Sequence, residues 1–245
     1  MKVFIFIFIL VLWLTPVWSA ECQNFKFQKA PFTACTAHIP EDDIRLFLHD
    51  KSGKIYGHFQ NLDNFLKEQS LNIIFATNGG MYHSDRSPVG MYVENFKEVS
   101  PLITRDGPGN FGLLPNGVFC FNKKEFMILE TEKFARRKLQ CKYATQSGPL
   151  LVMDGKIHQK FIKDGTSKVV RSGVGISKDG LEAIFLISNQ AVNFYHFAST
   201  FLDHLKIDNA LYLDGNISRL YSPKLNRIDF GFDIGPIVAV VAPAE

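Results

Sequence analysis

ATNGGMYHSDRSPVG, residues Ala76 to Gly90, follows the apolar run Ile73-Ile74-Phe75 and gathers an amide, two adjacent glycines, a histidine, an aspartate and an arginine at one turn. An apolar run broken by Asn-Gly reads as a buried strand ending in a turn. Similar signals recur along the chain. Gly117 to Phe121 and Phe126 to Glu130 flank Asn122 to Glu125, Leu150 to Met153 and Lys156 to His158 flank Asp154-Gly155, and Val170 to Ser177 and Leu181 to Ser188 flank Lys178-Asp179-Gly180. Each reads as a β-hairpin whose turn residues tolerate positive φ.

Helical periodicity is rarer. Phe194, Phe197, Ala198, Phe201, Leu202 and Leu205 recur at three- and four-residue spacing behind Asn193, which is placed to cap. Leu62, Phe65 and Leu66 after Asn61 predict a shorter helix, and Glu132 to Leu139 a third. Strands and helices do not alternate regularly, so the expected class is α+β: a single domain with a large, twisted, mostly antiparallel sheet and a few flanking helices.

The first 19 residues read differently. MKVFIFIFILVLWLTPVWS carries one basic residue, an apolar run to Leu14, and Val17 and Ser19 at the spacing a signal peptidase accepts. The expectation is a signal peptide over residues 1–19, cleavage after Ser19, and a mature domain over 20–245, exported to the periplasm or secreted. The apolar run is shorter than the ~20 residues of a membrane span, so no stable membrane anchor is expected. Cys22, Cys35, Cys120 and Cys141 all lie in the exported part, where disulfides persist. Four cysteines allow three pairings; the shortest loops favour Cys22 with Cys35 and Cys120 with Cys141.

A net charge of +3 over 245 residues, with no run of like charge, gives no basis for a nucleic-acid partner. No Cys-x-x-Cys, His-x-x-x-His or EF-hand spacing is present, so no metal or other cofactor is expected; Ca²⁺ is the one ion that loop Asp and Asn side chains could hold without a motif. Five loops join glycine to a polar or charged residue: Asn78-Gly79-Gly80, Asp106 to Asn110, Gln146 to Pro149, Arg171 to Gly175 and Asp214-Gly215-Asn216. Glycine lets backbone N–H groups approach a ligand, and N–H groups arranged in a concave nest bind anions.

NGGMYHSDRSPVGMYVE, DGPGNFGLLPNGVF, ATQSGPLLVMDGKIH, RSGVGIS and NALYLDGNISRLYSP, in that order, resemble the phosphodiester glycosidase family, and most closely its compact bacterial members. The resemblance runs from about Cys35 to Val241. Many relatives have a second glycine after the Asp-Gly of the last motif, where this chain has Asn216. It implies hydrolysis of a sugar 1-phosphodiester, with a glycan or sugar phosphodiester as the substrate partner.

The residues suit that chemistry. Arg171 offers a planar fork of donors for phosphate oxygens, Asn78 an amide N–H, and Gly79 and Gly80 backbone N–H groups. Breaking the anomeric C–O bond needs a carboxylate, as nucleophile or to orient water. Asp214, at the end of the apolar run Ala210 to Leu213, is favoured over Asp85 and Asp154 because a buried strand aims a side chain rigidly. Asn78, Arg171 and Asp214 are therefore the candidate catalytic residues. His83, Asp106, Asn110, Ser147, Gly148, Gly215 and Ser218 join Gly79 and Gly80 as candidate substrate contacts. Asp106 and Asn110 could equally fix their own turn, and Ser218 could cap local backbone. Ser147 lacks the Gly-x-Ser-x-Gly setting of a serine nucleophile. The competing class is a non-catalytic envelope module that binds phosphorylated glycans in the same cradle.

Both tryptophans, Trp13 and Trp18, lie in the leader, so any aromatic sugar platform must come from Tyr or Phe. Exported protein beginning at Ala20 is expected to show tyrosine emission alone; a tryptophan band in the purified material would mean the leader is retained.

Overall fold

The computed structural model describes residues 20–105, 107, 109–214 and 217–244; the expected signal segment, Asp106 and Gly215 lie outside the described residues. The chain opens with a hairpin, β1 (Glu21–Phe27) and β2 (Ala30–His38), followed by β3 (Asp43–Phe47), helix α1 (Phe59–Lys67) and β4 (Leu71–Asn78). Next come β5 (Tyr92–Glu94), β6 (Lys97–Ser100), β7 (Gly117–Phe121), β8 (Phe126–Glu130), α2 (Thr131–Arg137) and β9 (Tyr143–Ser147). Then follow β10 (Leu150–Met153), β11 (Lys156–Ile157), β12 (Ser172–Ile176), β13 (Glu182–Ser188) and α3 (Phe194–Ser199), which runs into a π-helical turn at Thr200–His204. The last strands are β14 (Asn209–Asp214), β15 (Leu220–Ser222), β16 (Arg227–Ile228) and β17 (Ile237–Pro243).

The expected α+β class and antiparallel pairing hold, with the strands divided among three sheets instead of one. Their orders are β1-β2-β13-β12-β14-β10-β11, β16-β15-β4-β17-β3 and β6-β5-β9-β7-β8. Strand alternation explains the arrangement, because successive side chains face opposite sides. Leu211 and Leu213 of β14, Val238 and Val240 of β17, and Phe119 and Phe121 of β7 all enter one shared core. Their neighbours Ala210 and Tyr212, Ala239 and Val241, and Val118 and Cys120 face outward into three separate layers. A helix covers each: α3 through Phe197, α1 through Leu62 and Leu66, and α2 through Phe134.

The three sheets meet at Phe185 of β13, whose ring centroid lies 5.7 Å from Phe75 of β4 and 5.9 Å from Phe119 of β7. Removing that ring would cost about 3–5 kcal/mol, since it would open a cavity at the junction.

The hairpin at 117–121 and 126–130 has the expected bounds, and Asn193 Oδ1 accepts the His196 N–H at 2.8 Å as the expected cap. Helix α1 starts earlier than Asn61, because Phe59 shares the buried face of Leu62 and Leu66; Asn61 instead donates to the Tyr56 carbonyl at 2.7 Å. Helix α2 stops at Arg137, where Lys138 turns left-handed with φ 48°. Both disulfides follow the short-loop pairing, Cys22–Cys35 across the first hairpin and Cys120–Cys141 between β7 and the approach to β9. Among the described residues, no helix is long and apolar enough to cross a membrane.

The Asp42 side chain is fully buried, accepting the Ala20 N–H at 3.2 Å and the His38 N–H at 2.7 Å. Cleavage after Ser19 would turn the Ala20 N–H into an ammonium on this carboxylate. Asp42→Asn is expected to destabilise the processed protein by about 1–3 kcal/mol, because a buried donor loses its charged acceptor. That corresponds to a fall in Tm of roughly 2–10 °C, measurable by calorimetry.

Candidate active site

Asn78 ends β4 with no solvent exposure. Its Nδ2 donates to Ser172 Oγ of β12 at 2.9 Å, and its Oδ1 accepts the Arg219 backbone N–H at 3.3 Å. Thr77 Oγ1 donates to the Arg219 carbonyl at 2.8 Å, while Ser172 Oγ lies 3.3 Å from the Asp214 carbonyl. The end of β4, the start of β12 and both ends of the segment leaving β14 are thereby tied together. Ser218 Oγ closes that segment locally, 2.9 Å from the Asp214 carbonyl and 3.3 Å from that of Val170.

Gly79 follows directly, and its N–H donates to the Pro236 carbonyl at 2.7 Å. A side chain there would press within 3.1–3.2 Å of the Pro236–Val238 backbone, so β17 itself demands glycine. Gly79 thus spends its N–H on the fold. Gly80, packed on Thr145 and also buried, donates its N–H to no group among the described residues.

Beyond the glycines the chain reaches Tyr82, which connects this framework to charge. Its phenol is pushed up to about 12, first by burial and then by the negative charge of Asp214; Arg86 and Arg219 pull the other way. Tyr82 therefore stays neutral through the physiological range. Its hydroxyl donates to the Asp233 carbonyl at 3.2 Å, and the Arg86 guanidinium lies 5.5 Å from its ring centre. Arg86 adopts a left-handed backbone with φ 73°, held by the Arg86 N–H on the His83 carbonyl at 2.8 Å and by Asp85, which accepts from Ser87 N–H at 3.0 Å and from Ser87 Oγ at 2.6 Å. A bulky residue in this region is strained, and such strain concentrates at functional positions. Arg86 Nη1 donates to the Ser84 carbonyl at 3.0 Å, whereas its buried Nε has no partner.

Arg219 is 8% exposed, and burial holds its pKa below the usual arginine value. Its Nη1 donates to the Phe232 carbonyl. Neither Arg86 nor Arg219 forms an ion pair with a carboxylate among the described residues. Two arginines beside one tyrosine, with the Asp214 charge close by, make a site able to hold an anion next to a carboxylate.

Arg171 is placed differently. At 1% exposure it faces the α3 layer, where Nε donates to the Val192 carbonyl at 2.9 Å, Nη1 to Tyr212 Oη at 3.0 Å and Nη2 to the Ser167 carbonyl at 3.1 Å. The guanidinium carbon sits 3.6 Å from the Phe194 ring centre. Burial lowers its pKa, and Tyr212 counteracts that. Three of the five N–H groups of this fork are engaged by the protein itself. Tyr212, raised by burial and in part by Asp214, links Arg171 to the site.

The other expected contacts divide. Ser147 Oγ is buried, 3.4 Å from the Leu213 carbonyl, and Gly148 packs on Asn116, with the Asn110 carbonyl next to it. Asn110 is exposed in the turn Gly109–Gly112, and His83 is exposed in the turn that holds Arg86. Tyr82, Arg86 and Arg219 were not singled out in the sequence. The signal available was the presence of Tyr82 and Arg86 in the opening stretch and of Arg219 in the last motif.

Residues 71–231 match the model of a family described as phosphodiester glycosidase. A protein of Escherichia coli (strain K12), described as the uncharacterized protein YigE, is 32% identical over 214 residues, covering 86% of this chain and 83% of its own. Among solved structures, the catalytic domain of zebrafish N-acetylglucosamine-1-phosphodiester alpha-N-acetylglucosaminidase, auto-inhibited by its pro-peptide, superposes with a TM-score of 0.63 at 15% identity, over 93% of this chain and 84% of that one. A hypothetical protein from Synechocystis gives 0.55 at 12%, over 91% and 62%. At these identities the two structures share the fold.

Arg171→Lys keeps the charge but cannot reach the Val192, Ser167 and Tyr212 oxygens together. The expected cost is about 2–4 kcal/mol, as buried acceptors lose their donors. A denaturant titration showing wild-type stability would contradict this account of the guanidinium.

Proposed function

Because the chain belongs to the phosphodiester glycosidase family, we propose that it is an exported hydrolase that cleaves the anomeric C–O bond of a sugar 1-phosphodiester, releasing the sugar and a phosphomonoester. The observation that supports this reading is the grouping of Arg86, Arg219 and Asp214 around Tyr82. A phosphodiester carries one negative charge, and two arginines beside one tyrosine suit it.

In the proposed reaction the diester phosphate rests against Arg86 and Arg219, with the anomeric carbon toward Asp214. Water oxygen adds to that carbon as the C–O bond to phosphate breaks; the bonding pair leaves with the phosphate oxygen, and the proton that the attacking water loses passes to solvent. Asp214 stabilises the positive charge that develops on the sugar, as a carboxylate does in glycoside hydrolysis. The departing phosphomonoester is already a stable anion, so arginine charge replaces the strong general acid that an alkoxide leaving group would need. Asn78 positions this machinery by fixing the Arg219 backbone and, through Ser172, the end of β14. Arg171 acts at one remove, through Tyr212.

Hydrolysis in heavy-oxygen water should label the released sugar and leave the phosphomonoester unlabelled; label in the phosphate would instead mean P–O cleavage. Asp214→Asn is expected to lower kcat about a hundred- to ten-thousandfold, and Arg219→Ala to lower kcat/KM about 10- to 100-fold, the value of a hydrogen bond to a charged group. Wild-type turnover in Asp214→Asn would remove the carboxylate from the mechanism. Binding of a sugar phosphodiester with no turnover in wild type would make the chain a glycan-binding module.

A further inference from the structure

The segment after β15 reverses the usual pattern of a sheet edge. Ile228, Phe230 and Phe232 are 43%, 78% and 78% exposed, while the intervening Asp229 turns back into the protein. There it accepts the Leu220 N–H at 2.9 Å and the Arg227 guanidinium at 2.8–3.1 Å. Three exposed apolar side chains around a half-buried carboxylate leave a small apolar stripe unexplained by folding.

The stripe adjoins the proposed site. Arg219 Nη1 donates to the Phe232 carbonyl, and a side chain at Gly231, which has φ 144°, would collide with the Arg219 guanidinium. The next residue but one, Asp233, accepts the Tyr82 hydroxyl on its carbonyl. Arg219 and Tyr82 are thus both anchored on the backbone of the segment that carries the exposed phenylalanines. A cation at the head of a stripe that can span up to about 13 Å complements an amphiphile, an anionic head followed by an apolar chain.

Resting on the glycosidase reading, we propose that the group beyond the phosphate in the substrate is an apolar chain, received by Ile228, Phe230 and Phe232, so that the substrate class is a sugar 1-phosphodiester of a lipid-like alcohol. With the sugar at Asp214 and the phosphate at Arg219, the remaining substituent leaves the phosphate on the side of Phe232. A chain is a better match there than a second sugar, because the segment offers three exposed apolar side chains, while its carboxylates are engaged, Asp229 by Arg227 and Asp233 by His58.

The test uses the full chain with methyl phosphate and octyl phosphate, the latter below its micelle-forming concentration. Binding is measured by calorimetry, beside turnover of N-acetylglucosamine 1-phosphodiesters carrying the same two groups. Wild type is expected to bind octyl phosphate about tenfold or more tightly than methyl phosphate, as several methylenes leave water. The double variant Phe230→Ser/Phe232→Ser should bring that ratio close to one, and Phe230→Leu/Phe232→Leu should retain it. Both side chains stand in solvent, so the variants should fold with an unchanged Tm. Equal affinity for the two probes in wild type, or an undiminished preference in the serine variant, overturns the proposal. So does adsorption to phosphatidylglycerol vesicles without any chain-length preference, which would give the stripe to a membrane surface. A chain-length preference without turnover of either diester supports the stripe's assignment and removes the hydrolytic reading, so the two failures are distinguishable.

Discussion

One buried amide carries the architecture of the site. Asn78 has no contact with solvent, so each of its polar atoms must find a partner inside the protein. It does so by reaching 94 residues forward to Ser172 and 141 residues forward to the Arg219 backbone. These bonds join two sheets at the site, away from the apolar junction of Phe75 and Phe185 and from the Arg227–Thr33 bond that also crosses between them. An apolar core tolerates small sliding, whereas an amide with fixed donor and acceptor directions does not. The segment that bears Arg219 can hold its place relative to Asp214 because that amide allows one register.

A buried cation imposes the second constraint. Among the described residues Arg171 forms no ion pair with a carboxylate, and its guanidinium is held by two carbonyls, a phenol and the face of Phe194. Dipoles and a ring face offset desolvation less completely than a carboxylate would, so the environment stays receptive to negative charge. Asp214, which follows Tyr212 by two positions on β14, supplies such charge close by, as its influence on the Tyr212 phenol shows. Arg171 and Asp214 are thereby coupled through a neutral phenol.

How much of this was legible depends on how local each signal is. The hairpins at Asn122–Glu125 and Lys178–Gly180 were legible because their turns use residues suited to tight reversal. The first hairpin was not, since Gln28 and Lys29 turn with φ 47° and 70° without glycine or asparagine. The Asn95-Phe96 turn hides the β5–β6 hairpin because phenylalanine, not glycine, takes its second positive φ, 66°. At the candidate site, Asn78 and Asp214 stand out in the sequence because each closes an apolar run. Arg86 and Arg219 do not, because what distinguishes them is a shared neighbour, Tyr82, that only the three-sheet arrangement brings between them. Glycine carried a mixed message: Gly79 was read as an anion donor, while its N–H serves the Pro236 carbonyl.

The arginines also separate what must stay constant from what can vary. Arg171 sits behind β14 among side chains of the α3 layer, where a change of length leaves buried oxygens without donors. Arg86, half-buried on the turn after β4, and Arg219, nearly buried on the segment after β14, are both braced by neighbouring backbone carbonyls. Loops on a rigid scaffold can change what they present without disturbing the core. The residues around Phe230 and Phe232 extend that logic outward, since they meet the scaffold through Asp229 and Arg219 and leave their own side chains in solvent. In the proposed reaction, chemistry at the sugar carbon falls to groups anchored in the sheets, and what lies beyond the phosphate falls to a short segment whose apolar side chains stand in solvent.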